Sequence, residues 1–276
     1  MHGHFHQVQM IGLTRTDAVA HRNVRVVLTT RESAPPAAAL GACGCVYCGY
    51  RWYPPLFTVL ACAAQVACFY ASASDALTRA RPAELAMKVP LPATEVYRIF
   101  SNMLAHMSPL HLWSNVFCTV VLGGVFEAFH GFLRIGIVWY GAAVVGTLIQ
   151  AQLVFPNPTT IAGSSGGVYG LWMAYVGFLV INWSEVRFRR LLFLTGVVPI
   201  VVEGVLAFTD PDPGIAYGAH FSGAVFGGLC SVLVVKNFRW YPHERVIITL
   251  SAVIVSGALL ALAASTPRLV VSLGPS

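Results

Sequence analysis

The chain has 276 residues, of which 57% are hydrophobic and 10% are charged, and its mean hydropathy is +0.70. One soluble core of this length cannot bury so much apolar surface, so the composition excludes an ordinary soluble domain and indicates a lipid bilayer. The net charge of +6 does not indicate a nucleic-acid partner, because the Lys and Arg residues lie between apolar runs rather than on one face. We interpret these basic residues as signals of membrane topology.

The first segment, residues 1–50, is polar and rich in arginine, contains Pro35-Pro36 and shows no persistent helical periodicity. These features predict a largely disordered, cytosolic tail. An arginine-rich, acid-poor start also fits an organellar transit peptide. That alternative is less favoured, because the two prolines interrupt the segment and its apolar residues keep no helical spacing.

The seven cysteines do not predict a disulfide framework. Four of them lie inside apolar runs, where cysteine behaves as a small hydrophobic residue: Cys62, Cys68, Cys118 and Cys230. The other three, Cys43, Cys45 and Cys48, form a cluster that fits either lipidation or a zinc site with a tail histidine as fourth ligand. We favour a simple cysteine-rich segment beside the membrane, and both other interpretations stay open.

Seven apolar stretches are long enough to predict transmembrane helices, which need about 20 apolar residues. They cover residues 55–73, 109–130, 132–154, 165–182, 191–208, 214–235 and 245–263. The sequence therefore predicts an all-α polytopic membrane helix bundle.

The charges of the connections predict the orientation of these helices. The short connections 155–164 and 209–213 contain no basic residue, whereas the tail and the alternate connections are basic. By the positive-inside rule, the amino terminus is expected in the cytosol and the carboxyl terminus on the outer side. The long segment 74–108 contains four basic residues, and we expect it to lie on or partly in the outer leaflet.

The fourth stretch begins with a serine among glycines, Gly163-Ser164-Ser165-Gly166. A hydroxyl at a helix amino terminus lies beside free backbone N–H groups, and such groups stabilise a developing oxyanion. Ser165 is therefore a candidate nucleophile. An ordinary helix cap followed by small residues for helix packing explains the same pattern.

The sixth stretch contains His220, and a histidine inside a membrane span is rare. Gly223 and Gly227 follow it at a spacing that lets two helix backbones touch, and Gly166 begins the same spacing in the fourth stretch. If these two helices meet, His220 comes within reach of Ser165 and is a candidate general base. Without that partner, His220 is better explained as a helix–helix hydrogen-bonding residue.

The second stretch contains His111 and Asn115, one helical turn apart on the same face, with His106 upstream. An imidazole and a carboxamide that face a cavity are suitable donors for an oxyanion. Zinc bound by His106, His111 and His220 is the competing interpretation. It is disfavoured because the His-Glu-x-x-His pattern and a water-activating carboxylate are missing, so no metal is expected.

Residues from about 55 to 240 resemble the rhomboid family of intramembrane serine proteases. The family's Gly-x-Ser-Gly motif matches Gly163 to Gly166, which implies that Ser165 is the nucleophile, and its Ala-His-x-x-Gly-x-x-x-Gly motif matches Ala219 to Gly227, which implies that His220 is the base. The His-x-x-x-Asn pair matches His111 and Asn115 as oxyanion residues. The resemblance implies supporting roles for His106, Tyr169, Arg98, Glu127, Gly163, Gly166, Gly223 and Gly227.

The resemblance also implies an activity and a setting. It implies an endopeptidase that cleaves transmembrane helices of single-pass substrates near the outer or lumenal face, without a cofactor. It also implies six core helices, which places a core domain at 51–240 and leaves a seventh helix with a short tail at 241–276. A seventh helix after the His220 helix resembles rhomboids of the secretory pathway, which implies that pathway or the plasma membrane. We interpret Asp210 and Asp212 as solvated charges, so we expect a Ser-His dyad without an acid. A non-proteolytic scaffold for client helices is the alternative function, and a transporter is less favoured.

Overall fold

The computed structural model describes residues 52–71 and 84–271. The expectations for the tail at 1–50, including the lipid or metal site at Cys43, Cys45 and Cys48, lie outside the described residues. Within the described residues the chain is mostly helical, as predicted.

The helices follow the apolar stretches of the sequence closely. Their bounds are α1 Leu56–Ala71, α2 Arg98–Ser101, α3 Pro109–Cys118, α4 Gly124–His130, α5 Phe132–Val154, α6 Ser165–Asn182, α7 Arg189–Thr209, α8 Tyr217–Val234 and α9 Glu244–Ser265. A π-helical turn, Thr119–Gly123, joins α3 and α4 into one apolar helix. Among the described residues, six helices are long and apolar enough to cross a membrane, and α1 is a shorter apolar helix of 16 residues. The predicted polytopic helix bundle is confirmed.

Four short strands, which the sequence did not predict, lie between and after the helices. They are β1 Met87–Val89, β2 Leu91–Pro92, β3 Thr159–Ile161 and β4 Val270–Val271. β1 pairs antiparallel with β3, and β2 pairs parallel with β4. From residue 84 onward, the segment that was expected on the outer leaflet is folded onto the helices, and its Met87 and Leu91 are fully buried. The β1–β3 pair holds the chain just before α6.

The centre of the bundle is formed by α5, α6 and α8, whose backbones approach closely at glycines. A Cβ on Gly223 would collide with the carbonyl oxygen of Gly166, and a Cβ on Gly227 would collide with that of Gly170. A Cβ on Gly146 of α5 would lie 2.6 Å from the Ala219 carbonyl oxygen. Helices in lipid associate through such close packing, because lipid chains are as apolar as the helix surfaces. The predicted contact between the fourth and sixth stretches is thus present.

Glu127 of α4 caps the amino terminus of α1. Its carboxylate accepts hydrogen bonds from the backbone N–H of Phe57 (2.7 Å), and from both the backbone N–H (2.9 Å) and the hydroxyl (2.8 Å) of Thr58. The first N–H groups of a helix have no partner inside the helix, and negative charge is favoured there. Glu127 therefore links α4 to α1, which explains a fully buried carboxylate.

The seventh apolar helix, α9, lies at the edge of the bundle against α8 and α5. Within α9 four residues are buried, and Gln152 of α5 donates a 2.5 Å hydrogen bond to Ser265 at its end. The sequence boundary near residue 240 falls in the connection between α8 and α9.

Gly227→Ala is expected to destabilise the fold by about 1–3 kcal/mol, because a methyl group at this position overpacks the contact with Gly170. Gly257→Ala in α9 is the matched control, since a Cβ there has nothing within 4 Å. A helical glycine replaced by alanine without a clash gains up to about 1 kcal/mol. Thermal unfolding in detergent micelles measures both variants, and equal unfolding temperatures would contradict the packing.

Candidate active site

Ser165 and His220 meet at one end of the α6–α8 contact. Ser165 is the first residue of α6 and His220 the fourth residue of α8. The Ser165 Oγ and the His220 Nε2 are 2.7 Å apart, which is a hydrogen bond. The His220 side chain is 12% exposed, so this contact is largely shielded. A nucleophile and a base within hydrogen-bond reach are the first geometric requirement for serine catalysis.

The neighbouring hydroxyl of Ser164 has a different partner. Ser164 is fully buried, and its Oγ donates a 2.7 Å hydrogen bond to the side-chain carbonyl of Gln65 in α1. Gln65 is also fully buried, and its amide donates to the Ala61 carbonyl. Ser164 therefore ties the start of α6 to α1, and Ser165 is the serine that reaches the imidazole.

Gly163 brings the imidazole of His111 against the chain just before Ser165. Its φ is +120°, a left-handed value that favours glycine, and its N–H donates to the Asn102 carbonyl at 3.1 Å. A Cβ at this position would lie 2.6 Å from the His111 Cε1 atom. Any other residue would therefore push His111 away from the start of α6.

The predicted oxyanion residues are held by the start of α3. The Ser108 hydroxyl caps α3 by accepting from the His111 N–H at 3.1 Å. Asn115 is buried, and its amide donates one hydrogen bond to the His111 carbonyl at 3.0 Å, which leaves its second N–H for another acceptor. The structure thus places His111 beside Gly163 and Ser164, which we call the serine loop, and Asn115 one turn further along α3.

His106 packs against the ring of His111. The two rings meet edge to face, with centroids 5.1 Å apart, and His106 is fully buried. Burial, with a smaller contribution from His111, lowers the pKa of His106 to about 4. His106 is therefore neutral at physiological pH and supports the position of the His111 ring.

Tyr169 lies one helical turn after Ser165 and packs flat on the histidine. The Tyr169 and His220 rings are stacked, with centroids 4.4 Å apart and an angle of 8° between their planes. The Tyr169 hydroxyl donates a hydrogen bond to a carboxylate oxygen of Glu203. The ring therefore restricts the imidazole on one face, and the hydroxyl reaches a third helix.

Glu203 of α7 completes the cluster, and the prediction that no acid accompanies the two residues was wrong. One oxygen of Glu203 is hydrogen bonded to the His220 Nδ1, and the other accepts from Tyr169. The missed signal was a single carboxylate in the apolar stretch 191–208, because ionisable groups inside membrane spans are costly and usually paired. Asp210 and Asp212 are exposed, as predicted.

Arg98 of α2 contacts several parts of the segment that precedes α3. Its side chain is 4% exposed, donates to the Ala86 carbonyl at 2.9 Å and forms an ion pair with Glu95 at 2.8 Å. The backbone carbonyl of Arg98 accepts a hydrogen bond from the side-chain amide of Asn102. The backbone carbonyl of Asn102 in turn accepts a hydrogen bond from the Gly163 N–H. Asn102 is fully buried and was not predicted from the sequence. Arg98 therefore supports the serine loop at a distance, through Asn102.

The family model of the Rhomboid domain matches residues 93–237. This range contains Ser165, His220, Tyr169 and Glu203, as well as His111 and Asn115. The chain belongs to the rhomboid family. It is an integral multi-pass membrane protein with the fold of an intramembrane protease. The predicted resemblance is confirmed.

Several curated rhomboids are similar to this chain over about half of its length. Rhomboid-related protein 1 of Caenorhabditis elegans is 30% identical over 158 residues, which cover 55% of this chain and 44% of that protein. Rhomboid-related protein 3 of Homo sapiens is 29% identical over 160 residues, 54% of this chain and 39% of that protein. Rhomboid-like protease 5 of Toxoplasma gondii is 32% identical over 150 residues, 53% of this chain and 17% of that protein. This rhomboid thus spans less than half the length of these three relatives.

Ser164→Ala is expected to destabilise the rhomboid fold by about 1–3 kcal/mol, because the buried oxygen of Gln65 loses its donor. The double variant Ser164→Ala with Gln65→Leu removes both polar partners and is expected to recover part of that loss. Thermal unfolding of the single and double variants in micelles measures the effect. A single variant as stable as the wild type would contradict this hydrogen bond.

Proposed function

We propose that this rhomboid is a serine endopeptidase that cleaves transmembrane helices of single-pass membrane proteins near the outer or lumenal face. The observation that supports this most directly is the 2.7 Å contact between the Ser165 hydroxyl and the His220 imidazole at the start of two packed helices. The contact supplies an activated nucleophile inside a membrane-spanning bundle.

In the proposed reaction, His220 Nε2 takes the proton of Ser165 as Oγ attacks the carbonyl carbon of the scissile peptide bond. The new oxyanion is stabilised by the backbone N–H of Ser165, which lies at a helix start without a partner in the helix, and by His111 and Asn115. When the C–N bond breaks, His220 gives its proton to the leaving amine. Water then attacks the acyl-enzyme ester with His220 as base, which releases the carboxylic acid and restores Ser165.

The substrate must unwind before this reaction. In a helix the peptide bonds are shielded and their polar groups are paired, so a segment has to leave the helical form to present a carbonyl to Ser165. Segments with small or helix-breaking residues unwind at the lowest cost. We propose that such a segment enters the site in extended form. No cofactor is proposed, because each step uses only groups of the protein, the substrate and water.

The names of two relatives support a proteolytic function. Rhomboid-like protease 5 and Rhomboid-like protease 1, both of Toxoplasma gondii, are 32% and 25% identical to this chain over 150 and 152 residues. We propose residence in the secretory pathway or plasma membrane, with a cytosolic amino terminus, on the basis of the charged connections and the helix that follows the His220 helix.

Ser165→Ala and His220→Ala are each expected to lower kcat/KM by at least about 10²-fold, because each removes a partner of the proton transfer. The measurement is cleavage of a fluorescent single-span substrate by the full chain in liposomes. Ser256→Ala, which changes an exposed serine of α9, is the matched control and is expected to keep wild-type activity. Undiminished cleavage by Ser165→Ala or His220→Ala would rule out the proposed function.

A further inference from the structure

α7 is the least enclosed of the long helices around the cluster. Within α7, all of which the structure describes, Gly196 is the one buried residue. Many of its apolar side chains are largely exposed, as expected for a helix that faces lipid. Glu203 lies on the side of α7 that faces the bundle, and its side chain is 13% exposed. A carboxylate on such a helix is costly unless it has partners.

Both carboxylate oxygens of Glu203 are occupied. One is bonded to the His220 Nδ1, and the other accepts from the Tyr169 hydroxyl. An ionised carboxylate can only accept hydrogen bonds, and the Tyr169 hydroxyl donates to one of its oxygens. The His220 Nδ1 must therefore carry a proton in order to donate to the other oxygen. That state leaves Nε2 free to accept from the Ser165 hydroxyl at 2.7 Å.

We propose that Glu203 is a positioning residue of this rhomboid, which holds His220 in the tautomer and orientation that allow it to take the Ser165 proton. The inference rests on the proposed function and adds an acid to its Ser-His pair. When the Ser165 proton moves to Nε2, the imidazole becomes positively charged beside the Glu203 carboxylate, which stabilises that charge. The proton stays on His220 until it passes to the leaving amine, and Glu203 remains ionised throughout.

Tyr169 contributes to the same arrangement from α6. Its ring covers one face of the imidazole, and its hydroxyl fixes the carboxylate oxygen that does not touch His220. Hydrogen bonds to both of its oxygens therefore restrict the orientation of the Glu203 carboxylate. Two neighbouring helices, α6 and α7, thus orient a base that lies on a third helix, α8.

The same contacts also attach α7 to the bundle, so the experiment must separate positioning from stability. The variants are Glu203→Gln, which keeps the shape without the charge, and Glu203→Asp, which keeps the charge on a shorter side chain. Asp212→Asn removes an exposed carboxylate from the next connection and serves as the control. Ser165→Ala is assayed in the same series. kcat, KM and thermal unfolding are measured for each purified full-length variant in the same lipid, with a single-span substrate.

Glu203→Gln is expected to lower kcat by about 10²- to 10⁴-fold with little change in KM, because an uncharged amide no longer enforces the Nδ1 tautomer. Glu203→Asp is expected to retain a larger share of kcat than Glu203→Gln, and Asp212→Asn is expected to match the wild type. If Glu203 only attached α7 to the bundle, kcat would fall with the fraction of folded protein and not with the loss of charge, so this order of the variants would not be observed.

Wild-type kcat in Glu203→Gln would overturn the inference. Equal losses of kcat in the Gln and Asp variants, in proportion to their losses of thermal stability, would overturn it as well. If Glu203→Gln fails to fold, Glu203→Asp decides alone: retained kcat supports the inference, and a kcat as low as that of Ser165→Ala in protein of wild-type thermal stability overturns it. Activity in Ser165→Ala would remove the proposed function and the inference together, whereas an inactive Ser165→Ala with an active Glu203→Gln removes the inference only.

Discussion

The close approach of α6 and α8 at their glycines is the constraint on which the site depends. Gly223 lies against Gly166 and Gly227 against Gly170, and a Cβ on Gly223 or Gly227 would collide with the backbone of α6. Because this contact fixes the distance between the two helix starts, it also fixes the distance between Ser165 and His220. In lipid, where no hydrophobic force drives the helices together, such packing is a principal source of cohesion.

The remaining contacts set the direction of the reacting groups. The start of α6 is held on one side by the hydrogen bond from Ser164 to Gln65. On the other side, Gly163 donates a hydrogen bond to the backbone carbonyl of Asn102, and its lack of a side chain leaves space for His111. These ties come from α1, from the segment before α3 and from α3 itself. The serine loop is thus positioned by elements that precede it in the chain, whereas His220 is oriented by Tyr169 and by α7.

The sequence allowed the helices and the Ser165–His220 pair to be predicted, because apolar length, glycine spacing and a histidine inside a span are all local signals. The strands escaped notice because β1 and β3 have three residues each and pair across more than two helices. Glu203 was missed for a different reason. Which face of α7 turns toward His220 depends on how the helices pack, and no spacing within α7 encodes it. Arg98 and Glu127 were found by resemblance, but their partners, Ala86 and the start of α1, became known only from the fold.

The proposed function requires that helix packing bring a single activated serine to an imidazole within the bilayer. Its most direct test is to treat the full chain in liposomes with a fluorophosphonate, a reagent that modifies activated serine hydroxyls, and to map the adduct by peptide mass spectrometry. An adduct is expected on Ser165 and on no other serine of the described chain, and this adduct is expected to be lost in His220→Ala. An adduct on Ser164, or an unmodified Ser165 in folded wild-type protein, would contradict it.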